Sequence, residues 1–377
     1  MRLVHRLASR ATKQTVAAIG LAVALVGGSD SALAQKRILQ IESQGARAFG
    51  GINLYNPADP SGSRFLACDH GYVDWQIPPG PRKTPLVMTH GSGIRGYQTT
   101  FDGQPGFQSI FLGEKYPVYL VDFPRTGRAG QGCAAYTYTI NLNQNAVFQN
   151  RIGLWPLGQP QPTYFPGVAF SQDPEALNQF LRIQYPEFNA PENEDVESDA
   201  LAILLEEVYA EHDKKPLVMT HSSGNTRGWL TALKTDKVGA IVAFESCSMF
   251  PEGEVPPPFP LANGGTSPYT GRVVPLQEFL KLTKFPILVV FGDNIPTEAD
   301  GLDVRGALRA RCLVWAETIN DHGGNAKVLT LPEVGVFGNT HYPFADTNHR
   351  QVADQIKLWM AQQGLDKPCG AGKKKCK

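Results

Sequence analysis

The stretch that decides the fold is Leu217-Val218-Met219-Thr220-His221-Ser222-Ser223-Gly224, which runs into a helical pattern over residues 226–233. A compact apolar run ends in small polar residues and passes at once into helix periodicity. That order describes a buried strand, a sharp turn and a helix. Such a turn lifts one hydroxyl, that of Ser222, above the sheet edge. The helix start adds partial positive charge, and the Ser223 N–H points towards any oxyanion that develops there. The usual pattern is G-x-S-x-G, whose first glycine relieves crowding; Thr220 stands in that place and is small enough to keep the assignment. Taken alone, Ser222 reads equally well as the N-cap of the helix, so the rest of the chain must decide.

Working outward, the same hexapeptide, Pro-Leu-Val-Met-Thr-His, occurs at 85–90 and at 216–221. Similarity fades outside it, so it marks two buried strands rather than a repeat architecture. Further apolar runs at 118–121, 240–244, 287–291 and 327–331 alternate with helical patterns at 200–211, 304–319 and 352–360. Strands alternating with helices predict an α/β fold, a mostly parallel central sheet with helices on both faces. Ligand sites in such sheets lie at the carboxyl edge of the strands. Residues 130–197, rich in proline, aromatics and amides, break the alternation and read as an inserted lid or cap. Residues 251–269 form a second irregular stretch at the expected entrance.

A serine hydroxyl needs a base. His341 ends Gly338-Asn339-Thr340-His341, after the last expected strand and before the C-terminal helix, where a triad histidine belongs in the order nucleophile, acid, histidine. His349 is read as a solvated residue at a helix start, and His322, before Gly323-Gly324, as a helix end. Two strand ends compete to supply the acid. Asp293 follows Val289-Val290-Phe291-Gly292, but the G-x-x-D slot on that strand is Ile295. Glu245 ends Ile241-Val242-Ala243-Phe244, one strand earlier and one methylene longer, and is the chosen acid. His90-Gly91-Ser92-Gly93 supplies the second oxyanion donor, the Ser92 N–H, to pair with that of Ser223. Asp122, before the Gly127-Arg128 turn, is structural support.

Arg2, Arg6, Arg10 and Lys13 precede an apolar run at 16–26 and then Ala32-Leu33-Ala34, the form of an export signal cleaved after Ala34. The run is short for a membrane span, and the mature chain, residues 35–377, has no other candidate. Export permits disulfides among Cys68, Cys133, Cys247, Cys312, Cys369 and Cys376, whose pairing the sequence leaves open; a small loop closed by Cys369 and Cys376 is one guess. Thirty-five basic residues balance 35 acidic ones, so no global field draws the chain to nucleic acid or anionic lipid. No metal or organic cofactor is expected. A homodimer is compatible with the sequence, which locates neither a strand edge nor an apolar patch for it.

The chain resembles a small group of secreted bacterial esterases with an atypical α/β-hydrolase fold. The resembling segments are Tyr72-Val73-Asp74-Trp75-Gln76-Ile77-Pro78, His90-Gly91, the elbow from Thr220 to Gly224, Glu245, Val289-Val290-Phe291-Gly292-Asp293, and Gly335-Val336-Phe337-Gly338-Asn339-Thr340-His341. In that group the acid is a glutamate after the strand that follows the nucleophile, and the resemblance implies a serine carboxylesterase. The departures fall in the insertion and around Ser92, where substrate choice is made. Amide, lactone or thioester cleavage on the same triad, and a non-catalytic exported binding protein, are the competing expectations.

Overall fold

The two copies of the hexapeptide become neighbouring parallel strands in register, with Leu86 beside Leu217, Val87 beside Val218 and Met88 beside Met219. The computed structural model describes residues 38–80, 82–91, 93–134, 158–159, 163–183, 191–247 and 249–368. The export segment expected at 1–34, Ser92, and the Cys369 and Cys376 pair lie outside them.

Eight strands form the central sheet: β1 (Ser43–Tyr55), β2 (Phe65–Ile77), β3 (Leu86–Met88), β4 (Val118–Asp122), β5 (Leu217–His221), β6 (Ala240–Phe244), β7 (Pro286–Phe291) and β8 (Asn325–Thr330). Their spatial order is β1-β2-β4-β3-β5-β6-β7-β8. The pairings from β4 through β8 are all parallel, while β1 with β2 and β2 with β4 are antiparallel. Alternation along each strand feeds two cores. On one face Leu217, Met219, Val242, Phe244, Leu288 and Val290 join Phe107 and Phe111 of helix α1 (Phe107–Gly113). On the other, Val218, Ile241, Ala243, Ile287 and Val289 join the remaining core.

Helix α2 (Pro174–Arg182) is capped by Asp173, whose side chain accepts from the Glu175 N–H. Helices α3 (Pro191–His212), α4 (Gly224–Lys234) and α5 (Val304–Asp321) cover the second face, where the Trp229 and Trp315 rings meet at 4.9 Å. Helix α6 (His349–Gln362) returns to the first face through Val352 and Ile356. The layered architecture is therefore the one expected.

Two expectations change in detail. The irregular stretch read as 130–197 ends earlier, because α3 begins at Pro191 and lays Glu197 and Leu201 against the sheet side of the molecule. Its polar start hid a helix that is buried through residues further along. The β1–β2 hairpin was not foreseen as two long strands. Most of β1 is exposed, with Phe49 its one buried side chain, so the sequence carries almost no alternation there. Its other half, the Tyr72–Ile77 segment, is visible only in the resemblance.

Two disulfides close over this frame. Cys68–Cys133 ties β2 to the chain beyond β4, beside the Arg125–Asp69 pair at 2.7 and 2.8 Å. Cys247–Cys312 ties the turn after β6 to α5. No helix among the described residues is long and apolar enough to cross a membrane.

The Cys68–Cys133 bridge spans a sequence separation of 65, and cross-links of that size restrict the unfolded chain. Replacing both cysteines by serine is expected to lower unfolding free energy by about 2–4 kcal/mol, read from chemical denaturation with circular dichroism.

Candidate active site

The β5–α4 turn carries Ser222 at φ 53°, in the left-handed region that non-glycine residues seldom occupy. Its N–H donates to Phe244 O at 3.0 Å, which extends the β5–β6 ladder one residue beyond the strand. Space for the elbow comes from three glycines. A Cβ on Gly91 would lie 2.8 Å from His221 O, and one on Gly224 would lie 2.4 Å from His90 O. Gly228, one turn into α4, would carry a Cβ 2.6 Å from Thr220 Cγ2. The glycine absent at position 220 is thus offset by one at 228, whose meaning the motif does not reveal. Thr220 Oγ1 also bonds Asn225 Oδ1, and Asn225 Nδ2 donates to Phe244 O at 2.8 Å. Arg227 secures the turn from the side, donating to Ser223 O at 2.8 Å and to the buried Glu197 at 2.6 Å.

Ser222 Oγ lies 3.0 Å from His341 Nε2, and His341 Nδ1 lies 2.6 Å from Glu245 Oε2. With the proton on Nδ1, that ring nitrogen donates to the carboxylate and Nε2 accepts from the serine. Glu245 is buried and, like Ser222, has φ 53°. Its Oε1 accepts from the Gly292 N–H at 2.8 Å. A Cβ at Gly292 would come within 2.6 Å of Asn339 O, so the glycine at the end of β7 lets the histidine loop close on Glu245.

Asp293 is placed differently. Its Oδ2 accepts from the Gly338 N–H and its Oδ1 from the Asn294 N–H, both at 2.7 Å, while its own N–H donates to Asn339 O. It braces the loop from below, whereas Glu245 meets the imidazole. Ile295, in the usual acid position, is a buried apolar residue.

The loop bearing His341 is held from several directions. Buried Asp346 accepts from Thr340 N at 2.7 Å, Thr340 Oγ1 at 2.8 Å and Asn339 Nδ2 at 3.1 Å. Burial pushes its carboxyl up to about 7, against the pull of these bonds. His221 Nε2 meets His341 O at 2.9 Å, and its ring lies 4.6 Å from that of Tyr342. Burial drives His221 down to about 3, with the bond to the carbonyl opposing, so the ring is neutral and donates through Nε2. His349, expected in solvent, is buried; its ring nitrogens reach Asp346 O and Pro105 O. The preceding helix pattern gave no sign that its first residue turns inward.

The described part of the insertion reaches this loop as well. Ala169 N–H donates to Gly338 O at 2.7 Å, and the Thr347 N–H donates to Ala169 O at 2.7 Å. Phe180 of α2 sets its ring edge-on to Tyr342 at 5.2 Å.

Across from the elbow, Ser223 Oγ donates to Gly91 O at 3.2 Å, and His90 Nδ1 accepts from the Gly93 N–H at 3.0 Å. His90 Nε2 faces Asp122 at 3.4 Å, and Arg128 Nε binds Asp122 at 2.5 Å. Burial works to raise the Asp122 carboxyl, but His90 and Arg128 outweigh it and hold it well below the usual carboxylate range. Asp122 therefore anchors the His90-Gly91 turn.

A side chain absent from every sequence motif completes the centre. Arg305, in the first turn of α5, brings its Nη2 against Glu245 Oε2 and is itself buried. Burial pushes its guanidinium down to about 9, with Tyr342 opposing, so it is charged at neutral pH. Among the described residues no group of three or more His, Cys, Asp or Glu is placed to hold a metal ion.

Strand order, the turn after β5 and the loop after β8 define the α/β-hydrolase fold. No family model matches the chain. It is similar to a fungal protein named probable secreted lipase phiG, 26% identical over 334 residues, which span 78% of this chain and 86% of that one. Among solved structures, a novel bacterial esterase determined at atomic resolution superposes with a TM-score of 0.65 at 23% identity, covering 86% of this chain and 97% of that one.

Two outcomes test the geometry. An alanine in an open helix position normally gains stability over glycine, but at Gly228 it meets Thr220. Gly228→Ala is expected to cost about 1–3 kcal/mol, and Thr220→Ser in the same chain to restore most of it, in a urea-unfolding double-mutant cycle. His221, depressed from 6.5 to about 3, contributes stability that is complete above pH 6.5 and is lost as pH falls through 3. Unfolding midpoints measured across that window should therefore slope downward on acidification, and His221→Gln should flatten the slope.

Proposed function

We propose that the protein is an exported carboxylic ester hydrolase with Ser222 as nucleophile, His341 as general base and Glu245 as the acid that orients it. The observation that carries this reading is the continuous line from Ser222 Oγ through the imidazole to Glu245, at 3.0 and 2.6 Å. In the proposed reaction Ser222 Oγ attacks the ester carbonyl while His341 Nε2 takes its proton. Glu245 stabilises the imidazolium, and the N–H groups of Ser223 and Ser92 receive the oxyanion. Collapse of the tetrahedral intermediate expels the alcohol, which takes the proton from His341. Water then attacks the acyl-serine by the same route, giving the free acid and restoring the hydroxyl. No step calls on a metal or organic cofactor.

The similarity to a protein named as a secreted lipase and to a bacterial esterase supports ester hydrolysis and export. The two disulfides fit an oxidising compartment. Insertion residues bonded to the loop of His341 support a cap over the site, within which the acyl and alcohol groups are selected.

The test uses a short p-nitrophenyl ester and a fluorophosphonate probe. Ser222→Ala and His341→Ala are expected to lower kcat by roughly 10⁴-fold or more, and Glu245→Gln by roughly 10³–10⁴-fold. Ser222→Ala also abolishes labelling by the probe, whereas Asp293→Asn keeps the chemistry and loses mainly loop stability. Near-full activity in Glu245→Gln with loss in Asp293→Asn refutes the acid assignment. A wild-type chain that neither turns over nor labels is a binding protein, and faster turnover of a matched amide, lactone or thioester changes the substrate class.

A further inference from the structure

Buried carboxylates are costly unless paired, and beside the Gly292 N–H the triad acid here has two side-chain partners instead of one. His341 Nδ1 meets Glu245 Oε2, and the Arg305 guanidinium approaches the same oxygen from the opposite element. Both charged side chains are almost wholly withdrawn from solvent, 5% exposed for Arg305 and 0% for Glu245. Neither Nε nor Nη2 of Arg305 makes a hydrogen bond of ordinary geometry among the described residues, so Nη2 meets Glu245 as an ion pair and neither donor is taken up by a competing structural network.

Its position is fixed by construction. Asp303 caps α5 by accepting from the Gly306 N–H at 2.7 Å, and Gly306 sits so close to Pro296 O that a Cβ there would lie 2.4 Å away. Two turns further on, Cys312 is bonded to Cys247, two residues beyond Glu245. The helix that carries the cation is therefore tied covalently to the turn that carries the acid.

We propose that Arg305 is an electrostatic positioning residue, which offsets part of the Glu245 charge and so keeps His341 unprotonated, and able to act as base, to lower pH. A carboxylate alone raises the proton affinity of a neighbouring imidazole; a cation beside that carboxylate lowers it again, by offsetting its charge and by direct repulsion. The other groups around His341 are Ser222, neutral His221 on β5, Tyr342 on its own loop, and the acids Asp293 and Asp346, both engaged by backbone and side-chain donors. His90 acts on His221 from the turn after β3. Among these described groups Arg305 is the one whose cation touches Glu245.

This inference rests on the reading of Ser222, His341 and Glu245 as a triad, and the experiment separates the two. The pH dependence of kcat/KM on a p-nitrophenyl ester is measured for the wild type, Arg305→Gln and Arg305→Lys. Arg305→Gln keeps a donor for Glu245 but drops the charge, and its acid limb is expected to rise by about one pH unit, a tenfold loss of rate on that limb. Arg305→Lys keeps the charge and is expected to hold the limb near the wild-type position.

A purely structural role lowers kcat or stability in Arg305→Gln without moving the limb, and that result overturns the proposal. So does an equal shift in both variants. The His341 ring is also titrated by NMR in the wild-type protein, which needs neither turnover nor a variant that folds. A midpoint at or below the ordinary histidine value of about 6.5 supports the damping, and one above it overturns it. If the wild type shows no esterase activity, the triad reading fails, while the NMR midpoint of Arg305→Gln set against that of the wild type still decides what Arg305 does to the imidazole.

Discussion

The site depends on a staircase of backbone hydrogen bonds that continues the parallel ladder past the ends of its strands. Ser222 N–H donates to Phe244 O on β6, Glu245 N–H donates to Val290 O on β7, and Asp293 N–H donates to Asn339 O in the loop after β8. Each step places the next functional segment one strand across and at the same height. Parallel pairing makes this possible, since all the carboxyl ends face one way and the turns after them share one edge. The elbow and the Glu245 turn each adopt a left-handed conformation to leave the ladder, which explains why two non-glycine residues with φ 53° stand just past the ends of adjacent strands.

Around that staircase, fixing the histidine loop takes more protein than fixing the serine. Ser222 is held by the ladder and by close glycine contacts. His341 depends on Asp346, Asp293, the His221 ring and Ala169, which belong to its own loop, the turn after β7, β5 and the insertion. An imidazole set between a hydroxyl at 3.0 Å and a carboxylate at 2.6 Å tolerates little rotation, and several fixed dipoles hold it better than one. The insertion thereby acquires a structural reason to exist beside any role in choosing substrates.

Much of this was legible in the residue order. The buried strands announce themselves by short apolar runs, and Ser222, Glu245 and His341 each follow one of them. What could not be read depends on contacts between segments far apart in sequence. Gly228 looks like an unremarkable helix glycine until Thr220 is placed against it. Arg305 looks like a solvated cation in a first helical turn until α5 packs beside β8 and its start meets the turn after β6. His349 had the same difficulty, since a helix start reads as solvent-facing unless its neighbour is known. Ser92 marks a different boundary, because the oxyanion donor it was read as supplying falls outside the described residues.

The duplicated hexapeptide carries one more implication. Strands β3 and β5 show identical side chains to both cores, so hydrophobic packing cannot distinguish one from the other. A folding chain that threaded the first copy into the central slot would bury the same apolar atoms. What separates native from decoy is the punctuation after each copy, Gly91 in one and Ser222-Ser223-Gly224 in the other, together with the different partners on their outer flanks, β4 and β6. In this molecule the residues read as chemical machinery also serve as the address labels that tell two interchangeable strands where to go.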